Sequence, residues 1–295
     1  MPSSRNKTLS VSDLDLKSFS HFLRLPDEIK NITTLQNKIY LENSIIALKK
    51  LPSESVDLII ADPPYFNLRK NFGAGNVNLS KNEYYNWNLA WIEQSSRILK
   101  PTGSLYLCID WPSSCLFQNI LEKYLIIQNR ITWKRDKGRG SKSNWKNNME
   151  DIWFATKSPE YTFNLDAVKE KRAVKAPYID SLGRPKDWFE ENGQKFRYTH
   201  PSNIWTDLIV PFWSMPENTE HPTQKPEKLI ERLIMASSNT GDIILDPFLG
   251  SGTTAAVAKK LNRKYIGFEI DKKFYILSHK RLQLTVNKDL KSVAD

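Results

Sequence analysis

Apolar positions fall into two kinds of run along this chain. Residues 39–41, 56–61, 104–109, 125–133, 242–245 and 264–268 are short and apolar at many or nearly all positions. The most continuous of them, Val56-Asp57-Leu58-Ile59-Ile60-Ala61, suits a strand of a parallel sheet covered on both faces. Between these runs the apolar residues take helical spacing. Residues 45–51 form one such stretch, stopped near Pro52. Residues 83–99 form a longer one, with Trp87, Ala90, Trp91, Gln94 and Ile98 near one face and the turn signal Lys100-Pro101-Thr102-Gly103 after it. Further helices are predicted over 115–124, 226–237, 251–261 and 271–284. Strands alternating with helices predict an α/β fold: a mostly parallel sheet with helices on both faces.

Two segments break this rhythm. Residues 1–34 read as an N-terminal extension, in which Leu14, Leu16, Phe19, Phe22, Leu23 and Leu25 have the spacing of a short amphipathic helix. Residues 136–220 hold short polar and aromatic pieces with many turn residues and read as an inserted, loop-rich module. Its aromatics, such as Trp188, Phe189 and Trp205, are expected to form a small core rather than to stack on a ligand. The regular α/β stretches are then 35–135 and 221–295. No internal repeat is visible.

Composition adds limits. A chain of 295 residues suffices for one large domain or a domain with an insert. With 40% hydrophobic and 26% charged residues it is globular rather than disordered. The formal net charge of +10 permits an anionic partner but does not by itself establish one. Cys108 and Cys115 form neither a CxxC pair nor a disulfide framework, which fits a reducing compartment. No apolar stretch approaches the ~18 residues of a membrane span. The Ser-rich, charged start of the chain shows no secretory signal, so a cytoplasmic protein is expected. His21, His200, His221 and His279 show no metal-ligand spacing, and no metal is expected.

Candidate chemistry lies at two strand ends. After the strand at 242–245 comes Asp246-Pro247-Phe248-Leu249-Gly250-Ser251-Gly252-Thr253-Thr254. Gly250 and Gly252 are expected to let the backbone approach a ligand where a Cβ would collide. The N–H groups at the following helix start suit a carboxylate or phosphate. Glu269, ending the next strand, can accept both hydroxyls of a ribose. This loop also satisfies the dinucleotide fingerprint, so alone it leaves NAD and S-adenosylmethionine both open.

The strand at 56–61 ends in Asp62-Pro63-Pro64-Tyr65. Read blandly, this is a strand-ending turn. Read chemically, Asp62 offers a carboxylate acceptor and Pro63 a carbonyl acceptor. Together they can hold both N–H bonds of an exocyclic amine and free its delocalised lone pair. The Pro-Pro pair stiffens the loop, and Tyr65 offers a flat face for an extruded base.

With these blocks in place the chain resembles the permuted, β-class amino-methylating DNA methyltransferases of restriction–modification systems, over roughly residues 35–285. Ile131-Thr132-Trp133-Lys134, His221-Pro222-Thr223-Gln224-Lys225-Pro226 and Phe268-Glu269 match further family blocks in the same order. The resemblance implies a Rossmann-like S-adenosylmethionine-dependent methyltransferase fold. Residues 35–135 would be its catalytic half, 136–220 a target-recognition insert and 221–295 its donor-binding half. It implies a catalytic role for Asp62, Pro63, Pro64 and Tyr65. It implies donor contacts from Asp246, Phe248, Gly250, Ser251, Gly252, Thr253, Glu269, Thr223 and Lys225. Asn43 stands where the family usually has Asp, and it joins the donor set as the position that fits less well. The implied cofactor is S-adenosyl-L-methionine and the implied partner double-stranded DNA. The resemblance also admits a homodimer and a separately acting cognate restriction endonuclease.

Arg130, Lys134, Arg135, Lys137, Arg139, Lys142 and Lys146 stand close together against one acidic residue, Asp136. Of these, Arg135, Lys137, Arg139 and Lys142 are expected to grip DNA phosphates, the alternative being a solvated surface loop. Residues 66–82 are expected to form a loop beside the catalytic strand end, either closing over a flipped base or lying as plain surface. Asp at the head of the tetrapeptide favours adenine N6 as the methylated atom, with cytosine N4 as the alternative. Cytosine C5 is disfavoured because neither cysteine follows a proline. A non-catalytic DNA-binding protein on the same fold is the remaining alternative.

Overall fold

The structure, a computed structural model, describes residues 6–66, 79–136, 140, 142–175 and 177–292. The strands are β1 (Lys38–Leu41), β2 (Val56–Ala61), β3 (Leu99–Ile109), β4 (Ile126–Lys134), β5 (Met149–Thr156), β6 (Glu170–Ala173), β7 (Phe189–Glu191), β8 (Gln194–Thr199), β9 (Ile204–Trp205), β10 (Ile243–Asp246) and β11 (Lys264–Glu269). The helices are α1 (Asp13–Ser18), α2 (Ser44–Lys50), α3 (Lys81–Ile98), α4 (Ser114–Leu121), α5 (Leu165–Val168), α6 (Glu227–Ser237), α7 (Thr253–Lys260) and α8 (Lys272–Ser292). Among the described residues, none of the helices is long and apolar enough to cross a membrane.

The main sheet has eight strands in the order β1-β11-β10-β2-β3-β5-β4-β9. Strands β1, β11, β10, β2 and β3 pair in parallel, and β5 runs antiparallel between β3 and β4. Side chains alternate between the faces with the two-residue period of a strand. Leu58, Ile60, Tyr106, Cys108 and Ile244 enter one core, shared with α6, α7 and α8. Ile59, Ala61, Leu105, Leu107, Ile109 and Leu245 enter the other, shared with α2, α3 and α4. This is the predicted α/β architecture, with helices on both faces of a mostly parallel sheet.

Four local expectations change. The helix α3 does end just before Lys100-Pro101-Thr102-Gly103, at Ile98, but these residues are not a free turn: they lie within β3, where pairing jumps from Val56↔Leu99 to Leu58↔Ser104. Asp57 stabilises that spot, accepting from Lys100 Nζ at 2.7 Å and from the Ile243 amide at 2.9 Å. Residues 149–156, grouped by composition with the insert, are a strand inside the main sheet, and Trp205 is a buried member of the same sheet. Their apolar run was hidden by the polar segments on either side. The N-terminal segment buries apolar residues that flank its helix rather than those on it: Leu14 and Leu16 are exposed, while Val11 and Leu25 are buried and Phe19 and Phe22 pack on Tyr275. The helix itself is tied to α8 by Asp15, which accepts from Lys280 Nζ at 2.8 Å. Finally, the buried side of α3 is Tyr84, Asn88, Trp91, Ile92, Ser95, Ser96 and Ile98, with Trp87 and Gln94 only half-buried.

The remainder of the insert builds a separate three-stranded sheet, β6-β8-β7. Phe189 stacks on Tyr198 at 5.4 Å, and Trp188 donates to the Tyr178 carbonyl while Lys195 lies over its ring. Phe189, Phe196 and Tyr198 pack with one another, but none of the residues of these three strands is fully buried and Tyr198 is 59% exposed, so the contacts fall short of the small core expected.

Trp91 is fully buried in α3, its Nε1 donating to Asn88 Oδ1 at 2.9 Å and its ring meeting Phe248 edge-on. Trp91→Ala is expected to cost about 3–5 kcal/mol of unfolding free energy, since the large cavity cannot fully collapse. Denaturant titration measures it; a loss below about 1 kcal/mol would show that α3 does not carry the core in this way.

Candidate active site

In a parallel sheet the carboxyl ends of neighbouring strands share one edge, and ligands bind beyond it. Strand β10 pairs directly with β2, through Ile244↔Leu58 and Leu245↔Ile59. The residues after them, Asp62-Pro63-Pro64-Tyr65 and the loop from Asp246, therefore lie side by side. Both loops line one cavity of about 390 Å³. Asn43, Thr223, Lys225 and Glu269 line it too, together with Asp62, Pro63, Pro64, Tyr65, Asp246, Phe248, Gly250, Ser251 and Thr253. Apolar walls come from Ile45, Leu79, Trp87, Ile270 and Phe274, none of which was expected in the site from the sequence.

The glycine loop is held from several sides. Glu269 Oε2 accepts from the Gly250 amide at 2.7 Å, and its Oε1 accepts from the Asp271 amide at 2.8 Å. Asp246 Oδ1 accepts from the Phe248 amide at 2.9 Å. The Ser44 hydroxyl donates to the Pro247 carbonyl. Behind the loop, the buried guanidinium of Arg281 donates to Thr253 Oγ1 at 2.8 Å, to Ser251 Oγ at 3.2 Å and to the Glu217 carbonyl at 3.0 Å. Arg281 was missed from the sequence. It looks like any basic residue of a surface helix until α8 is seen to turn it inward.

The two glycines are also required by the protein's own packing. Gly250 has φ +54° and Gly252 φ +77°. A Cβ on Gly250 would sit 2.9 Å from the His221 ring, and one on Gly252 would sit 2.7 Å from Ser278 Cβ. Both positions are thus demanded by the protein's own packing as well as by backbone conformation. Gly252 is the N-cap of α7 and is absent from the cavity lining.

Asn43 caps α2: its Oδ1 accepts from the Ile45 amide at 2.9 Å and the Ile46 amide at 3.3 Å. Asp and Asn are about equally good N-caps, which gives a physical reason why Asn is tolerated there.

Lys225 departs furthest from expectation. Instead of serving only the glycine loop, its ammonium reaches the Asp62-Pro63-Pro64-Tyr65 segment, 2.6 Å from Asp62 Oδ2 and 3.2 Å from Tyr65 Oη. Burial opposes its charge, but the carboxylates of Asp62 and Glu150 outweigh that and hold it above the usual lysine range. Tyr65 is likewise not an open stacking face. It is buried, and its hydroxyl donates to Asp62 Oδ1 at 2.7 Å. Burial, then the negative charges of Asp62 and Glu150, push that hydroxyl well above the usual tyrosine range.

The basic stretch is divided. Arg135 ends against β5, donating to the buried carboxylate of Glu150 rather than pointing freely outward. Lys142 is exposed. Lys137 and Arg139 lie outside the described residues, as do residues 67–78 of the loop expected beside the catalytic strand end.

A doubly wound sheet that brings a stiff acidic tetrapeptide and a glycine loop into one cavity suits a transferase acting on a nitrogen, with a nucleoside-type donor. Residues 56–280 match the family model N6_N4_Mtase, described as DNA methylase, and the chain belongs to that family. It is 38% identical over 256 residues to the Type II methyltransferase M.HpaI of Haemophilus parainfluenzae, covering 86% of this chain and 76% of that protein. It is also 38% identical over 246 residues to the DNA adenine methyltransferase YhdJ of Escherichia coli (strain K12), covering 82% and 81%. Among solved structures, the M1.HpyAVI–SAM complex superposes with a TM-score of 0.56 at 26% identity, covering 83% of this chain and 98% of that one. The cytosine-N4-specific PvuII DNA methyltransferase shares the fold, with a TM-score of 0.61 at 19% identity over 85% of this chain and 90% of that one.

Two outcomes follow from this geometry. Gly250→Ala must place a side chain at positive φ against His221, and is expected to weaken donor binding about 5- to 30-fold in calorimetric titration with S-adenosylmethionine; an unchanged affinity would mean the loop adapts freely. The second concerns pH. Burial pushes the Asp246 carboxyl up to about 7, with its hydrogen bonds only partly opposing. A carboxyl raised on folding stabilises the protein below its unfolded value, and that contribution is lost as pH rises through the folded value. Asp246→Asn cannot ionise, so its melting temperature should gain on wild type between pH 5 and pH 8. Thermal melts of the donor-free proteins at both pH values check this, and a constant or shrinking difference would contradict it.

Proposed function

We propose that this protein transfers a methyl group from S-adenosylmethionine to the N6 amine of an adenine flipped out of double-stranded DNA. The observation that carries the reading is the shared cavity: Asp62 and the Pro63 carbonyl stand at its catalytic wall, with Gly250 and Glu269 at its donor wall. The adenine specificity named for YhdJ and the initial Asp of the tetrapeptide favour adenine over cytosine N4.

The residues present fit the donor. Glu269 sits at a strand end with two backbone amides already on its carboxylate, which keeps both oxygens oriented toward further hydroxyl donors. Burial raises its carboxyl to about 7, so donor hydroxyls would help hold its ionised form. Phe248, Trp87, Ile270 and Phe274 offer apolar surface for a purine. When bound, the donor supplies an electrophilic methyl group on a positively charged sulfur.

On the other wall, the amine replaces the Tyr65 hydroxyl at Asp62 Oδ1 and gives its second N–H to the Pro63 carbonyl. Held by two acceptors, the nitrogen pyramidalises and its lone pair becomes available. The N–C bond forms as the methyl–sulfur bond breaks, and the surplus amine proton passes to Asp62. Tyr65, released from Asp62, is free to lie against the base. Lys225 keeps Asp62 in place during this exchange.

DNA is gripped by the basic segment around Lys142, and the module containing β6, β7 and β8 reads the target word. Several basic side chains of that module are already paired, Lys171 with Glu191 and Arg197 with Asp187. Its contribution is therefore selectivity more than phosphate binding. The Type II relatives support an activity within a restriction–modification system; a prokaryotic cytoplasm, a separately acting cognate endonuclease and a homodimer belong to the same proposal.

Incubation with labelled donor and mixed-sequence DNA, followed by nucleoside mass spectrometry, tests it. N6-methyladenine is the expected product, and Asp62→Ala should lower the rate by roughly 100- to 1,000-fold with donor affinity retained. Methyl on cytosine alone would overturn the choice of base. Intact donor binding with no transfer to any DNA would favour a binding protein.

A further inference from the structure

The catalytic carboxylate belongs to a buried chain of charges that the reaction described above does not fully use. Lys225 Nζ lies 2.6 Å from Asp62 Oδ2 and 3.4 Å from Glu150 Oε2, and the Lys225 and Glu150 side chains are each only 6% exposed. The other oxygen of Glu150 accepts from Arg135. Arg135 follows directly on β4, its amide bonded to the Asn148 carbonyl at 2.6 Å, and it opens the basic segment expected to meet DNA.

The reversed strand explains how an acid reaches this place. Because β5 runs antiparallel, its first residues lie at the edge where β2 and β3 finish. Asp151 pairs with Ile109 and Glu150 faces Trp133, so Glu150 stands near the end of Asp62's own strand. A buried carboxylate is costly without partners. Glu150 has two of opposite charge: Arg135, at the root of the basic segment, hydrogen-bonds one oxygen, and Lys225 stands 3.4 Å from the other as an ion pair without a hydrogen bond.

The signs matter. Asp62 and Glu150 are acidic and Lys225 and Arg135 basic, so the four formal charges cancel when Arg135 is in place. If a DNA phosphate takes Arg135, the remaining three sum to one negative charge. That charge would lie beside the nitrogen as it turns cationic, where it favours the transition state.

We propose that Glu150 is a positioning residue for methyl transfer: it holds the Lys225 ammonium against Asp62 and, through Arg135, makes the charge at the catalytic carboxylate depend on contact with a DNA phosphate. The inference rests on the DNA methylation reading given above. Glu150 touches neither donor nor base in this scheme, and acts through Lys225.

Glu150→Gln keeps the size and shape of the side chain and removes only its charge. With the full chain and saturating DNA and S-adenosylmethionine, kcat is expected to fall roughly 10- to 100-fold, the scale of a misplaced catalytic group. Donor affinity by calorimetry should stay within about twofold and DNA-free melting near that of wild type. Arg135→Met should divide its effect the other way, raising the KM for DNA more than it lowers kcat. A Glu150→Gln enzyme with kcat within about twofold of wild type would overturn the proposal. So would a fall in kcat accompanied by equal loss of donor binding and of melting temperature, because that pattern marks a merely structural residue. Should wild type itself transfer no methyl group to DNA, the failure lies in the proposed function, and the inference falls with it.

Discussion

Parallel pairing of β2 with β10 is the constraint on which the site depends. The two strands lie far apart in the chain, and each carries at its carboxyl end a loop with no evident ligand of its own. Once Ile244 pairs with Leu58 in the same direction, the ends at Ala61 and Asp246 must open onto the same edge. The strand order β1-β11-β10-β2-β3 places the glycine loop and the Asp62 tetrapeptide at the ends of adjacent strands. Short hydrogen bonds then fix the loops: Glu269 to the Gly250 amide, Ser44 to the Pro247 carbonyl, Arg281 to Ser251 and Thr253.

Burial of charge at that edge is the structural cost of the arrangement. Asp246 and Glu269 are buried with carboxyls raised toward neutrality, and His221 is pressed against Phe274 and pushed down to about 4 by burial. On the catalytic side the cost is met by pairing, with Lys225 between Asp62 and Glu150. A protein built only for stability would fill these positions with apolar side chains. Their retention at one strand edge is what a preorganised site for a cationic donor and an amine nucleophile requires.

Much of this was legible beforehand, for identifiable reasons. The strands at 38–41, 56–61, 243–246 and 264–269 announce themselves because a sheet buried on both faces needs nearly continuous apolar runs. The loops after Ala61 and Leu245 are legible because proline and glycine restrict or extend backbone conformation in ways few other residues do. Other features were hidden by the same local logic. Lys100 to Gly103 has turn composition, yet forms a bulge because Asp57 ties it to the neighbouring strand. Leu14 and Leu16 have helical spacing, yet point outward, while their neighbours Val11, Phe19 and Phe22 pack into the core.

What the sequence determined by itself is the chemistry on offer: an acidic, proline-stiffened strand end, a glycine turn before a helix, and their order along the chain. These depend on residue type and near neighbours, which a linear reading contains. Partnership was decided only by the tertiary structure. Lys225 meets Asp62, Arg135 meets Glu150, Gly252 yields to Ser278, and Glu150 comes to lie beside Lys225 because β5 runs backwards. Each of these is a contact between segments distant in sequence. Its existence depends on strand order and direction, which the pattern of apolar positions does not encode.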